Sequence, residues 1–237
     1  MRYKIVLYLY IFSNLSFNCR GQYHEGSIVR ESTFYGLDTL KKAAPLHILS
    51  KIYYNGTSSI QEVPLLSYTD DSSGKKTVVT IKHYSYLNED KGVCFNYLNF
   101  TDTATLIKCY FDVDSVKIDG GWNFYSNEKF EYDNLTMLSD TIINNSGCRR
   151  IRLDKNINGN SVNFILYVDC TRKYSPVRIF KSLSDSIGCP IIRDDTFVKG
   201  VLFMTRELKY LSDHLSKTEL EVFAAWGKYA KEHSANK

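Results

Sequence analysis

The stretch that decides the fold is residues 196–232, which read TFVKGVLFMTRELKYLSDHLSKTELEVFAAWGKYAKE. It opens with a nearly continuous apolar run from Phe197 to Met204, with Gly200 inside it. A run of this kind is typical of a strand with at least one buried face. Arg206 follows the run almost at once. The stretch therefore predicts a last strand that ends beside an arginine.

A helix is predicted directly after this strand. Ser216 precedes Glu219 by three residues, which is the spacing of a capping box at a helix N-terminus. The apolar residues that follow recur at intervals of three and four, so one stripe of the helix faces inward. We expect this stripe to pack on the outside of a sheet; it consists of Leu220, Val222, Phe223, Trp226, Tyr229 and Ala230.

The first 21 residues have the order of an export signal. Arg2 and Lys4 form the charged start, Ile5–Phe12 is the apolar run, and cleavage is expected after Gly21. The apolar run is shorter than the roughly 20 residues that cross a bilayer; a buried first strand is the alternative. Cleavage also lowers the formal net charge from +4 to +1. We therefore expect a secreted protein with no membrane anchor and no nucleic-acid partner.

The middle of the chain predicts strands separated by turns. Aromatic residues make up 14% of the chain, which favours sheet. Residues 22–45 lack periodicity and are interpreted as an N-terminal arm, and Asp194-Asp195 is interpreted as a turn. We predict a mostly β protein, a single antiparallel β-barrel or sandwich over residues 46–237 with a C-terminal amphipathic α-helix. The predicted strands before the closing stretch are 46–54, 77–87, 93–100, 104–113, 122–125, 130–138, 149–153, 162–170 and 177–183.

The closing stretch resembles the end of a lipocalin. In that family an arginine near the end of the last barrel strand helps to close the barrel floor, and a helix packs outside. The resemblance implies this role for Arg206, the packing role for Trp226, and a divergent, secreted arthropod-type member of the family. The chain departs from the family pattern in lacking Gly-x-Trp at its first strand; its only such triplet is Gly120-Gly121-Trp122.

Export would place the cysteines in an oxidising compartment, where pairing is expected. Cys94 and Cys109 lie on the two strands of a predicted hairpin, and Cys148 and Cys170 bracket a probable strand pair. These two pairs are the predicted disulfides, and Cys189 is left over. Sequons for N-glycosylation occur at or near predicted turns, at Asn55, Asn99, Asn134 and Asn144.

No catalytic set stands out from the sequence. The five histidines are scattered, and no spacing suggests a metal site, a nucleophile or a phosphate loop. We therefore expect no enzyme activity, no cofactor and no metal. Candidate ligand contacts are His83, Tyr84, Tyr86 and Trp122, for which a surface histidine and core aromatic residues are the alternatives.

Two functions fit these features. The first is a secreted, non-enzymatic binding protein that sequesters or carries a small hydrophobic or amphipathic ligand in a barrel cavity. The second is an extracellular glycosylated protein that binds another protein through its outer surface and has no ligand cavity.

Overall fold

A computed structural model describes residues 25–35, 45–71, 74–110, 132–171, 177 and 179–234. Eleven strands and two helices occur in this part of the chain. The helices are α1 (Lys181–Ile187) and α2 (Lys217–Ser234). The strands are β1 (Gly26–Phe34), β2 (Leu46–Asn55), β3 (Ser58–Asp71), β4 (Gly74–Asn88), β5 (Val93–Tyr97), β6 (Leu106–Tyr110), β7 (Asn134–Ile143), β8 (Ser146–Ile157), β9 (Asn160–Val168), β10 (Ile191–Val198) and β11 (Val201–Ser212).

All eleven strands form one antiparallel sheet. Their order is β6-β5-β4-β3-β2-β1-β11-β10-β9-β8-β7, so the first strand pairs with the last and every other neighbour is also next in sequence. Between the described residues, no pairing joins β6 to β7, and these two strands are the edges of the sheet. The predicted mostly β fold with a C-terminal helix is confirmed, whereas the expected closure into a barrel is not found.

The closing stretch contains two strands where one was predicted. Lys199 and Gly200 have φ angles of 53° and 77°. This left-handed pair makes a two-residue turn between β10 and β11, because such turns match the twist of the flanking strands. Asp194 and Asp195, predicted to form a turn, consequently lie inside β10.

Arg206 was expected beside the end of the last strand, but it lies in the middle of β11.

The predicted N-terminal arm contains a central strand. β1 pairs with β2 on one side and with β11 on the other. At the start of β1, the neighbouring residues leave no room for a side chain at Gly26. A Cβ at this position would lie 2.4 Å from the carbonyl oxygen of Ser212 and 2.5 Å from the hydroxyl of Tyr54. The arm interpretation of residues 22–45 is therefore wrong for Gly26–Phe34. Sequence alternation is weak here because polar residues are buried on both faces of this strand.

Helix α2 begins with the predicted capping box. The backbone N–H of Ser216 donates to Glu219 Oε2 (2.7 Å), and that of Glu219 donates to Ser216 Oγ (3.3 Å). Trp226 is 2% exposed and stacks on Tyr97, with ring centroids 4.0 Å apart. Its indole N–H donates to the carbonyl oxygen of Thr101 over 3.0 Å. The predicted packing of the apolar stripe against the sheet is confirmed.

The two helices cover opposite faces of the sheet. The α2 face carries a core that includes Tyr53, Ile60, Tyr86 and Phe95 from strands β2 to β5. The α1 face carries a second core, which draws on strands β1, β2 and β8 to β11 and on Val177, Ile179 and Leu183 near α1. Residues 177–183 were predicted to be a strand; the described part of this segment is a bridge residue, Ile179, followed by the first residues of α1.

Candidate ligand-binding site

A row of polar side chains crosses the α1 face, all of them buried except Arg206, whose side chain is 13% exposed. Neighbouring strands place these residues side by side: Arg30 is opposite Ser50, Ser32 is opposite Arg206, and Arg206 is opposite Asp194. We call this row the polar strip. It consists of His83 and Ser85 on β4, Gln61 on β3, Ser50 on β2, Arg30 and Ser32 on β1, Arg206 on β11, and Asp194 and Thr196 on β10.

The strip contains a buried ion pair. Arg206 Nε donates to Asp194 Oδ1 over 2.7 Å, and the Asp194 side chain is fully buried. The hydroxyl of Thr196 donates to the other carboxylate oxygen over 3.1 Å. Removing two charges from water costs several kcal/mol per ion, which their attraction offsets only with good geometry. Such a pair is therefore a weak source of stability, and it is the charged pair within the polar strip.

The segment around α1 covers this pair. The ring of Phe180 lies over the guanidinium of Arg206, 5.1 Å from ring centroid to carbon, and packs edge-on against Phe164 at 5.8 Å. Phe180 has a φ of 50°. A left-handed conformation at a residue other than glycine costs about 1–3 kcal/mol and persists where the surroundings hold it. In this conformation the ring of Phe180 lies over the Arg206 side of the ion pair.

Two further features attach this segment to the sheet. A disulfide joins Cys170, just after β9, to Cys189, just before β10. The Ser184 hydroxyl donates to the carbonyl oxygen of Ile179 over 2.9 Å and accepts the backbone N–H of Ile191 over 3.3 Å. The cover is thus linked to the end of β9 and to the start of β10, the strand that carries Asp194.

The predicted ligand contacts do not form one site. Tyr86 is 2% exposed in the core beneath α2, where its ring contacts Phe223 and Trp226. Tyr84 lies on the same face. His83 points to the α1 face, because successive residues of a strand alternate between faces.

His83 is buried, so the alternative that it is a surface histidine is wrong. Tyr86 is also buried, in agreement with the alternative that it is a core aromatic residue. Trp122 lies outside the described residues.

The α2 face is packed with aromatic residues. Tyr53 stacks on Phe100 at 4.6 Å, and Tyr84 tilts against the same ring at 5.4 Å. Burial, with Glu62 as a second cause, raises the pKa of Tyr53 and of Tyr84. Burial also raises the pKa of Tyr97. These rings belong to the core between α2 and the sheet, which makes the α2 face a poor candidate for ligand binding.

A second buried carboxylate lies on the α2 side of the sheet. Asp195 accepts hydrogen bonds from the hydroxyls of Tyr167 (2.8 Å) and Thr205 (3.0 Å) and from Arg193 Nε (3.0 Å). Burial and the bond to Asp195 raise the pKa of Tyr167 to about 12. These neighbours satisfy both carboxylate oxygens of Asp195 and join strands β9, β10 and β11 on this side of the sheet.

The predicted disulfides differ from the observed one. Cys170 bonds to Cys189 and not to Cys148. Cys94 and Cys109 are free thiols: Cys109 is opposite Phe95, one residue from Cys94, so the two side chains point to opposite faces. The prediction placed both cysteines on one hairpin correctly but could not give the register.

Glycosylation, export and the expected lack of a metal site and of a membrane anchor stay predictions. All four sequon asparagines are exposed, as glycosylation requires: Asn55, Asn99, Asn134 and Asn144. Within the described residues, no group of three or more His, Cys, Asp or Glu could hold a metal ion. No helix among them is long and apolar enough to cross a membrane. The expected signal peptide lies outside these residues.

Sequence reasoning missed the Asp194–Arg206 pair. One signal could have revealed the hairpin: Lys-Gly inside an apolar run predicts a two-residue turn at 199–200. Regular pairing outward from that turn would place Asp194 opposite Thr205, and the register shift between Thr196 and Phe197 brings Arg206 opposite Asp194 instead. Gly200 was instead interpreted as an internal residue of a single strand.

Comparisons with known proteins do not assign a family. No family model matches the chain, and no curated protein sequence matches it. Among solved structures, the chain is similar to a LolA superfamily protein of Nitrosomonas europaea, NE2245, with 9% sequence identity and a TM-score of 0.26. The match covers 81% of this chain and 85% of that one. A score this low carries no argument about function.

Proposed function

We propose that the protein is a secreted, non-enzymatic carrier that holds a small hydrophobic or amphipathic molecule against the α1 face of the sheet. The observation that carries this proposal is the polar strip on that face, with the Arg206–Asp194 pair beneath Phe180. Binding sites for small molecules are mostly apolar and contain a few placed polar groups. The apolar surroundings would bind the body of the ligand, and the ion pair would bind its polar end.

The cover makes entry possible in physical terms. The helix α1 has only seven residues and no side-chain cap at its N-terminus. Short helices of this kind depend on packing for their stability, so the cover opens when Val177, Ile179 and Leu183 leave the core of the α1 face. The ends of the cover would stay in place, because the disulfide holds them. We therefore expect ligand entry beneath α1.

Titration with fluorescent amphiphiles tests the proposal. The secreted protein is mixed with an anionic, a cationic and a neutral apolar probe, and the affinity for each is measured. We expect binding of the neutral probe and of at least one charged probe. In Arg206→Met/Asp194→Leu, affinity for the charged probe should fall about tenfold or more, since hydrogen bonds to charged groups contribute about 1.5–3 kcal/mol.

The matched control is an exposed ion pair of α2, Lys217–Glu221, whose charged atoms are 3.8 Å apart. Lys217→Met/Glu221→Leu should leave all affinities unchanged. Replacing both members of the buried pair keeps a charge from being left alone in the core, so the fold should survive. Equal loss of affinity for charged and neutral probes, or no binding of any probe, would contradict the proposal.

The second candidate function is an extracellular interaction protein. It is favoured by the exposed apolar side chains of β7, of which Ile142 is 74% and Met137 57% exposed. Extraction of the naturally secreted protein separates the two candidates. A carrier should release a bound small molecule that mass spectrometry detects, whereas an interaction protein should release none.

A further inference from the structure

Among the described residues, β6 and β7 are the two edges of the sheet, and they differ in how they are protected. β6 has five residues and carries Lys108, and short, charged edges resist pairing with another chain. β7 has ten residues, seven of them exposed, and Asp140 is its only charge. The apolar side chains of β7, Leu135, Met137 and Ile142, are 43%, 57% and 74% exposed. A long edge with exposed apolar side chains and a single charge in ten residues favours self-association.

Two sequons lie at the two ends of β7. Asn134 is its first residue and begins Asn134-Leu135-Thr136; Asn144 follows its last residue and begins Asn144-Asn145-Ser146. Both asparagines are exposed. The other two sequons, at Asn55 and Asn99, lie at turns after β2 and β5, on the other half of the sheet.

We propose that N-linked glycans on Asn134 and Asn144 keep β7 from pairing with β7 of a second copy. Paired strands lie about 4.8 Å apart over their whole length. In a symmetric antiparallel pair, Asn134 of one copy lies beside Asn144 of the other, so two bulky glycans meet at each end. The irregular pairing of β7 with β8 between Leu138 and Thr141 adds a local kink, a second device that discourages edge pairing.

The test uses the full chain secreted from a host that adds N-glycans. Asn134→Gln/Ser146→Ala removes both sequons and keeps Asn144, whose side chain donates to Glu207 Oε1 over 2.7 Å. Light scattering during gel filtration should give the mass of one chain for the parent. For the variant, the mass should at least double as concentration rises.

Two controls identify the cause. Asn55→Gln/Asn99→Gln removes the same number of sequons away from β7 and should stay monomeric. Met137→Lys added to the Asn134→Gln/Ser146→Ala variant places a charge on the edge and should restore the monomer. Because a variant can fail to fold, enzymatic trimming of glycans from the folded parent is the second route, and it should produce the same association.

Three results would overturn the proposal. One is secreted parent protein whose peptides show Asn134 and Asn144 without glycans. Another is a folded, trimmed or sequon-free protein that stays monomeric at every concentration. The third is association that Met137→Lys does not reverse. None of these results depends on whether the α1 face binds a ligand.

Discussion

At the scale of single residues, two adjacent aspartates of β10 have separate environments. Asp194 points to the α1 face and pairs with Arg206, while Asp195 points to the opposite face and accepts bonds from Tyr167, Thr205 and Arg193. Alternation along a strand makes this separation obligatory. Each charge is compensated on its own side, so replacing either member of a pair alone would leave an unpaired buried charge.

The thiols provide a test at this scale. Burial raises the pKa of the Cys94 thiol to about 12, whereas Cys109 is exposed. Only the thiolate reacts with alkylating agents, so iodoacetamide at neutral pH should label Cys109 in the folded protein and Cys94 only after unfolding. Peptide mapping without reduction should also find Cys170 linked to Cys189. A Cys94–Cys109 peptide would show that the β5–β6 register is different.

At the scale of elements, α2 is held by an aromatic cluster and not by its helix propensity. Trp226 contacts the rings of Tyr86, Tyr97 and Phe100 and makes a hydrogen bond outside the helix. Gly227 lies inside the helix, where glycine lowers stability, and a Cβ there would lie 3.3 Å from the hydroxyl of Tyr86. Close approach between the helix and the sheet accounts for this glycine.

We therefore expect Trp226→Ala to lower the free energy of unfolding by about 3–5 kcal/mol, because it leaves a large cavity beneath the helix. The exposed Lys231→Ala should change it by less than about 0.5 kcal/mol. Denaturant unfolding followed by circular dichroism measures both. A Trp226→Ala protein as stable as the parent would show that α2 does not pack on the sheet as described.

At the scale of the whole molecule, β1 joins two halves of the sheet. β2 to β6 lie on one side of it, and β11 to β7 on the other. Ile28 is fully buried in the core of the α1 face, and Ser32 is opposite Arg206 in the polar strip. Loss of β1 would uncover the inner edges of both halves and interrupt the candidate site.

This role makes a truncation informative. A chain that starts at Gln22 should unfold cooperatively with heat, whereas a chain that starts at Pro45 should show no cooperative transition, since the central strand is gone. Circular dichroism during heating distinguishes them. If the shorter chain unfolds cooperatively at nearly the same midpoint temperature as the longer chain, the interpretation of residues 22–45 as an arm is supported.

Local patterns alone determined the parts of this protein that depend on near neighbours in the chain. The capping box at Ser216, the stripe that contains Trp226 and the strand from Leu46 follow from periodicity and hydrogen bonding within a few residues. Each of these predictions agrees with the structure because hydrogen bonds and apolar periodicity within a few residues act on the segment directly.

Only the tertiary structure decided what depends on pairing between distant strands. The central position of β1, the Cys170–Cys189 disulfide and the polar strip all require the register of the sheet. Residues such as Arg30 and Asp194 look like surface charges in the sequence, yet both are buried. Their burial follows from neighbours that are far away in the chain, which no local pattern contains.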